Sequence, residues 1–409
     1  MRLIIGRLYR RFKRIYNNKI YQRDFIEFFT TGFSEEDLNE IHRLLNHKKK
    51  EEFHLIEFRG KKIDNTKRDD SLSDLIKPFD QYEMVVSKLA LKYMPTEYIE
   101  YFDEHQEWCQ KNERIVNTEI GVFRSPMESH PALRYTMANI ARKKKYLISM
   151  QHGGGYGVKE FPTMEQLEIK LCDTYLSWGW KNENNNVSPF CVTKGHWLKK
   201  FNYLKKGHIL IIGEGLRRYF HNLFNTTPDF NKVHLEYNIK FLKGIKSEHF
   251  SKVIYRCHFN YGVDEKDYLN SIFKNLNIST RDETSHFYDL LYKTKLVIIT
   301  GNLTSLIQAF MLNLPTLILW PAGFNQIREK NKIFYSNLNN AGILYYSPDQ
   351  CAKKVNKIGD NPLEWWESSR VQLAKETFLN GMARSSQNLP KEFCKLVNNI
   401  KSQEIGRTT

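Results

Sequence analysis

"SHFYDLLYKTKLVIITGNLTSLIQAFMLNLPTLILW", residues 285–320, is the stretch whose pattern decides the fold. It predicts a helix, a strand at "KLVIIT", a turn at Gly301-Asn302, a second helix, and a strand at "TLILW" entered through Pro315. Working outward, "HILIIGEGLRRYFHN" (208–222) is strand, glycine turn and helix, and "FLKGIKSEHFSKVIYRCHFNYG" (241–262) is helix then strand. Helices and strands alternating at this spacing predict a parallel, doubly wound sheet. The same pattern occurs upstream. "RIVNTEIGVF" (114–123) reads as a strand, "HPALRYTMANIARKKK" (130–145) as a helix and "YLISM" (146–150) as a second strand, followed by helix and strand within "TMEQLEIKLCDTYLSWGW" (163–180).

The basic segment "VTKGHWLKKFNYLKKG" (192–207) divides the two patterns. The expected organisation is therefore a basic, mostly helical region at 1–110 and one Rossmann-like domain at 111–200. A second Rossmann-like domain follows at 208–380 and a helical tail at 381–409. The 409-residue length fits about two domains of roughly 150–200 residues. "HKKKEE" and "NTKRDDS" read as exposed loops, and no internal repeat is visible.

Hydrophobic residues make up 41% of the chain, which excludes intrinsic disorder, and no apolar run approaches the ~18–20 residues of a membrane span. Six scattered cysteines without a CxxC pair argue against a zinc ribbon or disulfide framework and favour a reducing cytoplasm. The net charge of +16 calls for an acidic partner or surface. Residues 1–19 carry seven Lys and Arg interleaved with apolar residues. That suits a helix lying on an anionic bilayer, and equally a solvated helix packed on its own domain. No RRM, KH, zinc-finger or helix-turn-helix signature accompanies the charge, so nucleic acid is not the expected partner.

In open α/β sheets ligands bind beyond the carboxyl ends of the strands, so the post-strand loops are where chemistry is sought. "QHGGGYG" (151–157) follows such a strand. Its glycines Gly153, Gly154 and Gly155 allow backbone to come close to a bound group, with Gln151 and Tyr156 flanking them. His152 has the pKa range to take a proton from an attacking hydroxyl. The loop is neither a Walker A motif nor G-x-G-x-x-G. In the second half, Arg217 and Arg218 are expected at the start of a helix, where guanidiniums suit a diphosphate. Glu214 in the same turn reads as an acid/base or a cap. Arg256 and His258 lie two residues apart at a strand end, on one side of the strand, as a phosphate pocket requires. Asn302, then Thr304 and Ser305 capping a helix, form an anion site, with Gln308 one turn on to reach a ribose or base. Asn325 and Arg328 follow the last strand of that run. There is no DxD-like acidic pair, no ligand spacing among the histidines and no G-x-S-x-G elbow, so neither a metal nor a serine-hydrolase triad is expected.

Taken together and in order, "QHGGGYG", "DTYLSWGW", "TGNLTSLIQAFMLNLPTLILW", "FYSNLNNAGILYYSPDQCAKKVNKI" and "EWW" resemble a family of transferases from bacterial O-antigen and surface-carbohydrate clusters. The resemblance runs from about residue 113 to 380. That family is similar to the GT-B group that includes capsule Kdo transferases, polysialyltransferases and teichoic-acid glycerophosphotransferases. It implies an α/β, GT-B-like fold, two Rossmann-like domains facing a central cleft, with helical N- and C-terminal additions. It further implies His152 as base, with Arg256/His258 and Thr304/Ser305 holding a CMP- or CDP-linked donor and Arg217 assisting. Phe259 stands where the family's His is normally followed by Pro, and the N-terminal region is shorter than is typical, which suggests a reduced first domain.

The expected activity is metal-independent transfer of a sugar, an ulosonic acid among the candidates. The donor is a nucleotide-sugar and the acceptor a lipid-linked glycan, at the inner face of the cell membrane with the enzyme peripheral and cytoplasmic. The alternative is a non-catalytic nucleotide-binding or docking component of a polysaccharide assembly complex.

Overall fold

The computed structural model of the chain describes residues 26–29, 31–47, 80–111, 118–124, 131–183, 185–193, 206–219, 228–280, 287–301, 303–321 and 327–405. The basic stretch 1–19, "NTKRDDS", all of "HKKKEE" beyond His47, Asn302, Asn325 and most of the dividing segment 192–207 lie outside these residues.

The fold is α/β, built on two sheets of five and six strands. Strands β1 (Ile26–Phe28), β2 (Ile120–Phe123), β3 (Tyr146–Met150), β4 (Thr174–Ser177) and β5 (Val187–Pro189) follow one another in that order across the first sheet. β1, β2 and β3 pair in parallel. Among the described residues, the α-helices of this half of the chain are α1 (Glu35–Leu44), α2 (Gln81–Tyr93), α3 (Phe102–Lys111), α4 (Pro131–Arg142) and α5 (Thr163–Leu171). A capping box starts α1: the Ser34 hydroxyl accepts the Asp37 N–H, and Asp37 accepts the Ser34 N–H in return.

The second sheet uses β6 (His208–Ile212), β7 (Val253–Arg256), β8 (Asn277–Ser279), β9 (Thr294–Ile299), β10 (Thr316–Leu319) and β11 (Leu344–Tyr345). Its order is β11-β10-β9-β6-β7-β8, every neighbouring pair parallel. Numbered from its own first strand, this is the doubly wound Rossmann order, and the direction of winding reverses between β6 and β9. The described helices of six residues or more are α6 (Pro228–Lys243), α7 (Glu265–Ile272), α8 (Phe287–Tyr292), α9 (Leu303–Met311), α10 (Lys332–Asn340), α11 (Pro348–Ile358), α12 (Ser369–Met382) and α13 (Leu389–Ile405). Burial on both faces explains the unbroken apolar runs: all six residues of β9 are buried. One face packs Ile209, Ile211, Tyr255 and Ile298 against Phe241, Leu242, Cys351 and Val355. Elsewhere in the core Phe310 meets Phe378 edge-on at 5.7 Å and Trp366 at 5.9 Å.

The chain forms two compact units. One comprises Met1–Met150, Leu167–Tyr175 and Pro390–Thr409; the other comprises Gln151–Gln166 and Leu176–Leu389. In the first, Phe393 of α13 packs against Phe28 and Phe33. The second holds the whole six-stranded sheet and also the glycine loop that follows β3. Among the described residues no helix is long and apolar enough to cross a membrane.

Two local expectations are corrected. No helix begins at Arg217-Arg218; Arg217 instead forms isolated bridges with Tyr261 and Gly262, and the Arg218 N–H donates to the Tyr261 carbonyl. The turn is therefore tied to the segment after β7, which a local helical pattern does not reveal. Thr304 and Ser305 lie inside the first turn of α9, which begins at Leu303, so they do not cap it.

Candidate functional site

The loop Gln151–Lys159 is fixed at both ends. Gln151 is 1% exposed, and its amide makes three hydrogen bonds. Its Nε2 donates to the Gly153 carbonyl (2.8 Å), while Oε1 accepts from the Trp178 N–H (2.7 Å) and the Trp180 indole (2.8 Å). At the far end Glu165, also 1% exposed, accepts from the Gly157 N–H (2.5 Å) and from the Arg328 guanidinium (2.6 Å). The Arg328 N–H donates to the Val158 carbonyl, and Lys159 bridges Ile327. Burial raises the Glu165 carboxyl pKa, against the pull of Arg328 and the Gly157 N–H.

Two glycines answer to packing. A Cβ on Gly154 would lie 2.7 Å from the Leu303 carbonyl carbon and oxygen and 2.9 Å from the Thr304 nitrogen. Its N–H donates to Thr304 Oγ1 at 3.0 Å. The close approach that a glycine cluster suggests is thus made to the first turn of α9, and Thr304 is the residue that receives it. Gly157 has φ +75°, and a Cβ there would meet the Trp180 indole at 2.5 Å. Gly155 faces only the Lys159 side chain, at 3.6 Å, while Tyr156 and His152 are half-buried.

Lys159 runs past Gly155 and interacts with Glu214, at the carboxyl end of β6. The Glu214 side chain lies over Gly301, the residue that follows β9 and Thr300, with its Cδ 3.1 Å from where a Gly301 Cβ would stand. Thr300 donates both its N–H (3.1 Å) and its hydroxyl (3.0 Å) to the Ile212 carbonyl, holding the two strand tips together. The Lys159–Glu214 pair therefore stands where the winding reverses, the position at which open α/β sheets bind ligands. Burial lowers the Lys159 pKa, opposed by Glu214, and burial raises the Glu214 pKa, opposed by Lys159, the Gly215 N–H and Arg217.

Beside this pair, Arg217 lies over the Tyr261 ring at 4.2 Å, and the His258 ring stacks on Tyr261 at 5.7 Å. Arg217 and His258 are thus brought together through an aromatic residue. Arg256 goes elsewhere, to Ser279 Oγ (3.4 Å) and the Phe287 ring (5.7 Å). Gln308 is buried and donates to the Tyr288 hydroxyl (2.9 Å), and Ser305 is buried in the first turn of α9. Beneath the strand tips, the Tyr255 hydroxyl donates to Glu265 (2.7 Å) and accepts from Asn238 (2.8 Å). Burial pushes the Glu265 carboxyl up to about 7.

Sequence reasoning missed Lys159 and Tyr261. "GVKE" and "FNYG" carry no local signal, because both residues matter only through partners distant in the chain. Among the described residues no group of three His, Cys, Asp or Glu is placed to hold a metal ion. The arrangement gathers cations at the winding reversal, where open α/β sheets have their ligand crevice, a setting for an anionic ligand.

A family model described as LIC12162 family transferase matches residues 5–396. Among solved structures, the chain is similar to a protein assigned as UDP-N-acetylglucosamine 2-epimerase from Listeria monocytogenes, at 12% identity and TM-score 0.47, covering 90% of this chain and 86% of that one. It is similar to the MurG of Acinetobacter baumannii at 9% identity and TM-score 0.43, with 88% of each chain covered. It is also similar to the wall teichoic acid polymerase TagF, in its H444N variant, at 11% identity and TM-score 0.39, covering 74% and 85%. A search of curated proteins finds no match.

Proposed function

This chain belongs to the LIC12162 family of transferases, and from that premise we propose that it is a GT-B-type glycosyltransferase of surface-polysaccharide assembly. It moves a sugar, an ulosonic acid among the candidates, from a nucleotide-activated donor to a lipid-linked glycan such as an O-antigen or capsule precursor. The observation that carries this reading is the cationic crevice at the winding reversal between β6 and β9, with Lys159 facing Glu214 and Arg217 and His258 stacked on Tyr261 beside it.

In this reading the donor's phosphate lies at that crevice, where Arg217 and His258 balance its charge and Arg256, Asn302, Ser305 and Gln308 hold the nucleotide. The resemblance to CMP- and CDP-using transferases favours a cytidine nucleotide. Thr304 positions the loop through its bond to the Gly154 N–H. The His152 imidazole takes the acceptor hydroxyl's proton as that oxygen bonds to the anomeric carbon. The bond from that carbon to the phosphate oxygen breaks, and the nucleotide leaves with the electron pair, its charge met by the cations. Gln151, Gly153, Gly155 and Tyr156 shape the acceptor side of the loop. The basic residues 1–19 hold the enzyme against an anionic bilayer at the inner face of the cell membrane, where lipid-linked acceptors reside.

The test is transfer to a lipid-linked acceptor in reconstituted membranes. Removal of a general base costs about 10²–10⁴-fold in turnover, so His152→Ala is expected to lose at least 100-fold in kcat while donor affinity holds. Unchanged turnover contradicts the assignment.

A further inference from the structure

At the winding reversal, where a Rossmann sheet receives its ligand, this protein places a carboxyl group of its own. The Glu214 carboxylate lies over Gly301, two residues ahead of the first turn of α9. It faces Lys159 from the glycine loop and Arg217 from its own turn, and it accepts the Gly215 N–H. A carboxylate flanked by two cations at a strand tip has the charge pattern of a bound phosphate. We propose that Glu214 is the internal occupant of the phosphate seat and that Lys159 is the cation it keeps in place for an incoming phosphate or diphosphate. The inference rests on the donor reading above and names the ligand class and the pH dependence of that same crevice.

Lys159 without an anion would be a poorly solvated cation, and Glu214 supplies its partner in the empty protein. An arriving phosphate brings at least one further negative charge into the same space. Glu214 then either leaves or takes a proton from solvent, and proton uptake is the easier course. Burial already favours its neutral form, and Glu214 in turn helps to raise the buried Glu265 carboxyl on α7. Among the described residues, the groups facing Glu214 are Lys159, Arg217 and Glu265, with the His258 ring beside Gly215. Once Glu214 is neutral, Lys159 pairs with the phosphate instead. Phosphate binding is therefore coupled to proton uptake by Glu214, and it weakens as pH rises through the range in which Glu214 ionises.

The competing account is a structural ion pair that ties the loop to the sheet. Calorimetric titration of the full chain separates the two, with inorganic pyrophosphate and then CDP and UDP as ligands, between pH 6 and 9. Running each pH in buffers of different ionisation enthalpy counts the protons taken up. The expected wild-type result is net proton uptake that grows towards the higher pH values of the series. Glu214→Gln is expected to abolish that uptake and to bind pyrophosphate about tenfold tighter at pH 8. Lys159→Met is expected to bind at least tenfold more weakly, and Lys159→Arg to stay within a few-fold of wild type. Melting temperatures recorded alongside show that each variant is folded.

Equal pyrophosphate affinity in wild type and Lys159→Met overturns the proposal. So does a Glu214→Gln variant that retains the proton uptake or binds more weakly. Proton-coupled pyrophosphate binding without any nucleotide binding leaves the phosphate seat standing and refutes the donor reading. Nucleotide binding that ignores Lys159 and pH does the reverse. Failure of every ligand to bind overturns both.

Discussion

Two strand-end segments of the same unit solve opposite problems. In the glycine loop 151–159, polar groups are spent on scaffolding: the Gln151 amide makes three hydrogen bonds, Glu165 takes the Gly157 N–H and Arg328, and the Gly154 N–H goes to Thr304. At the tips of β6, β7 and β9, charges face one another or an aromatic ring, as in Lys159 with Glu214 and Arg217 on Tyr261. The first arrangement fixes a shape. The second stores charge that a ligand can redirect. Only Lys159 belongs to both, since its backbone bridges Ile327 and its side chain faces Glu214.

The contrast is easiest to break at the glycines. Gly157→Ala combines a left-handed φ with a clash against Trp180, and such strain and overpacking together cost about 3 kcal/mol. Gly154→Ala presses on backbone of α9 that has no rotamer to change, for a cost of about 2 kcal/mol. Denaturant unfolding measures both, and a neutral Gly154→Ala would show that the loop does not sit on α9.

The charged side is probed through Glu265. With its carboxyl raised to about 7 from an ordinary 4.5, the folded protein holds a proton that the unfolded chain releases in between. Stability therefore falls as pH rises from about 4.5 to 7 and levels off above. Glu265→Gln removes this slope and shifts relative stability across that window by about 1 kcal/mol or more, read as melting temperature against pH. A variant with the wild-type slope would contradict the buried acid. Smallest of all, Gly155→Ala meets only a flexible lysine at van der Waals distance and is expected to stay within about 0.5 kcal/mol of wild type.

The strands β2, β3, β4, β6, β7, β9 and β10 were legible because they read as short apolar runs at helix-separated intervals, whereas β1, β5, β8 and β11, of two or three residues each, were too short to show a pattern. The loop after β3 was legible as a place needing glycine. What the glycine accommodates was not: Gly154 meets Thr304, 150 residues away, and no local pattern encodes that. For the same reason "GLRR" imitates a helix start while its backbone pairs with Tyr261 and Gly262. Charge-bearing residues could be named from their strand ends, but which of them meet depends on side-chain direction. Arg256 and His258, two apart in sequence, reach different neighbours, whereas Arg217 and His258 share a ring.

The account stands on a phosphate-bearing donor at the winding reversal of the six-stranded sheet. The most direct test is a thermal-shift panel of CMP, CDP, UDP, GDP and dTDP on the full chain and on Arg217→Met, because a ligand that binds the folded state raises its stability by mass action. The account predicts a rise in melting temperature with at least one nucleotide, cytidine species foremost, and loss of that rise in Arg217→Met. No shift with any nucleotide, or an equal shift in the variant, would contradict it.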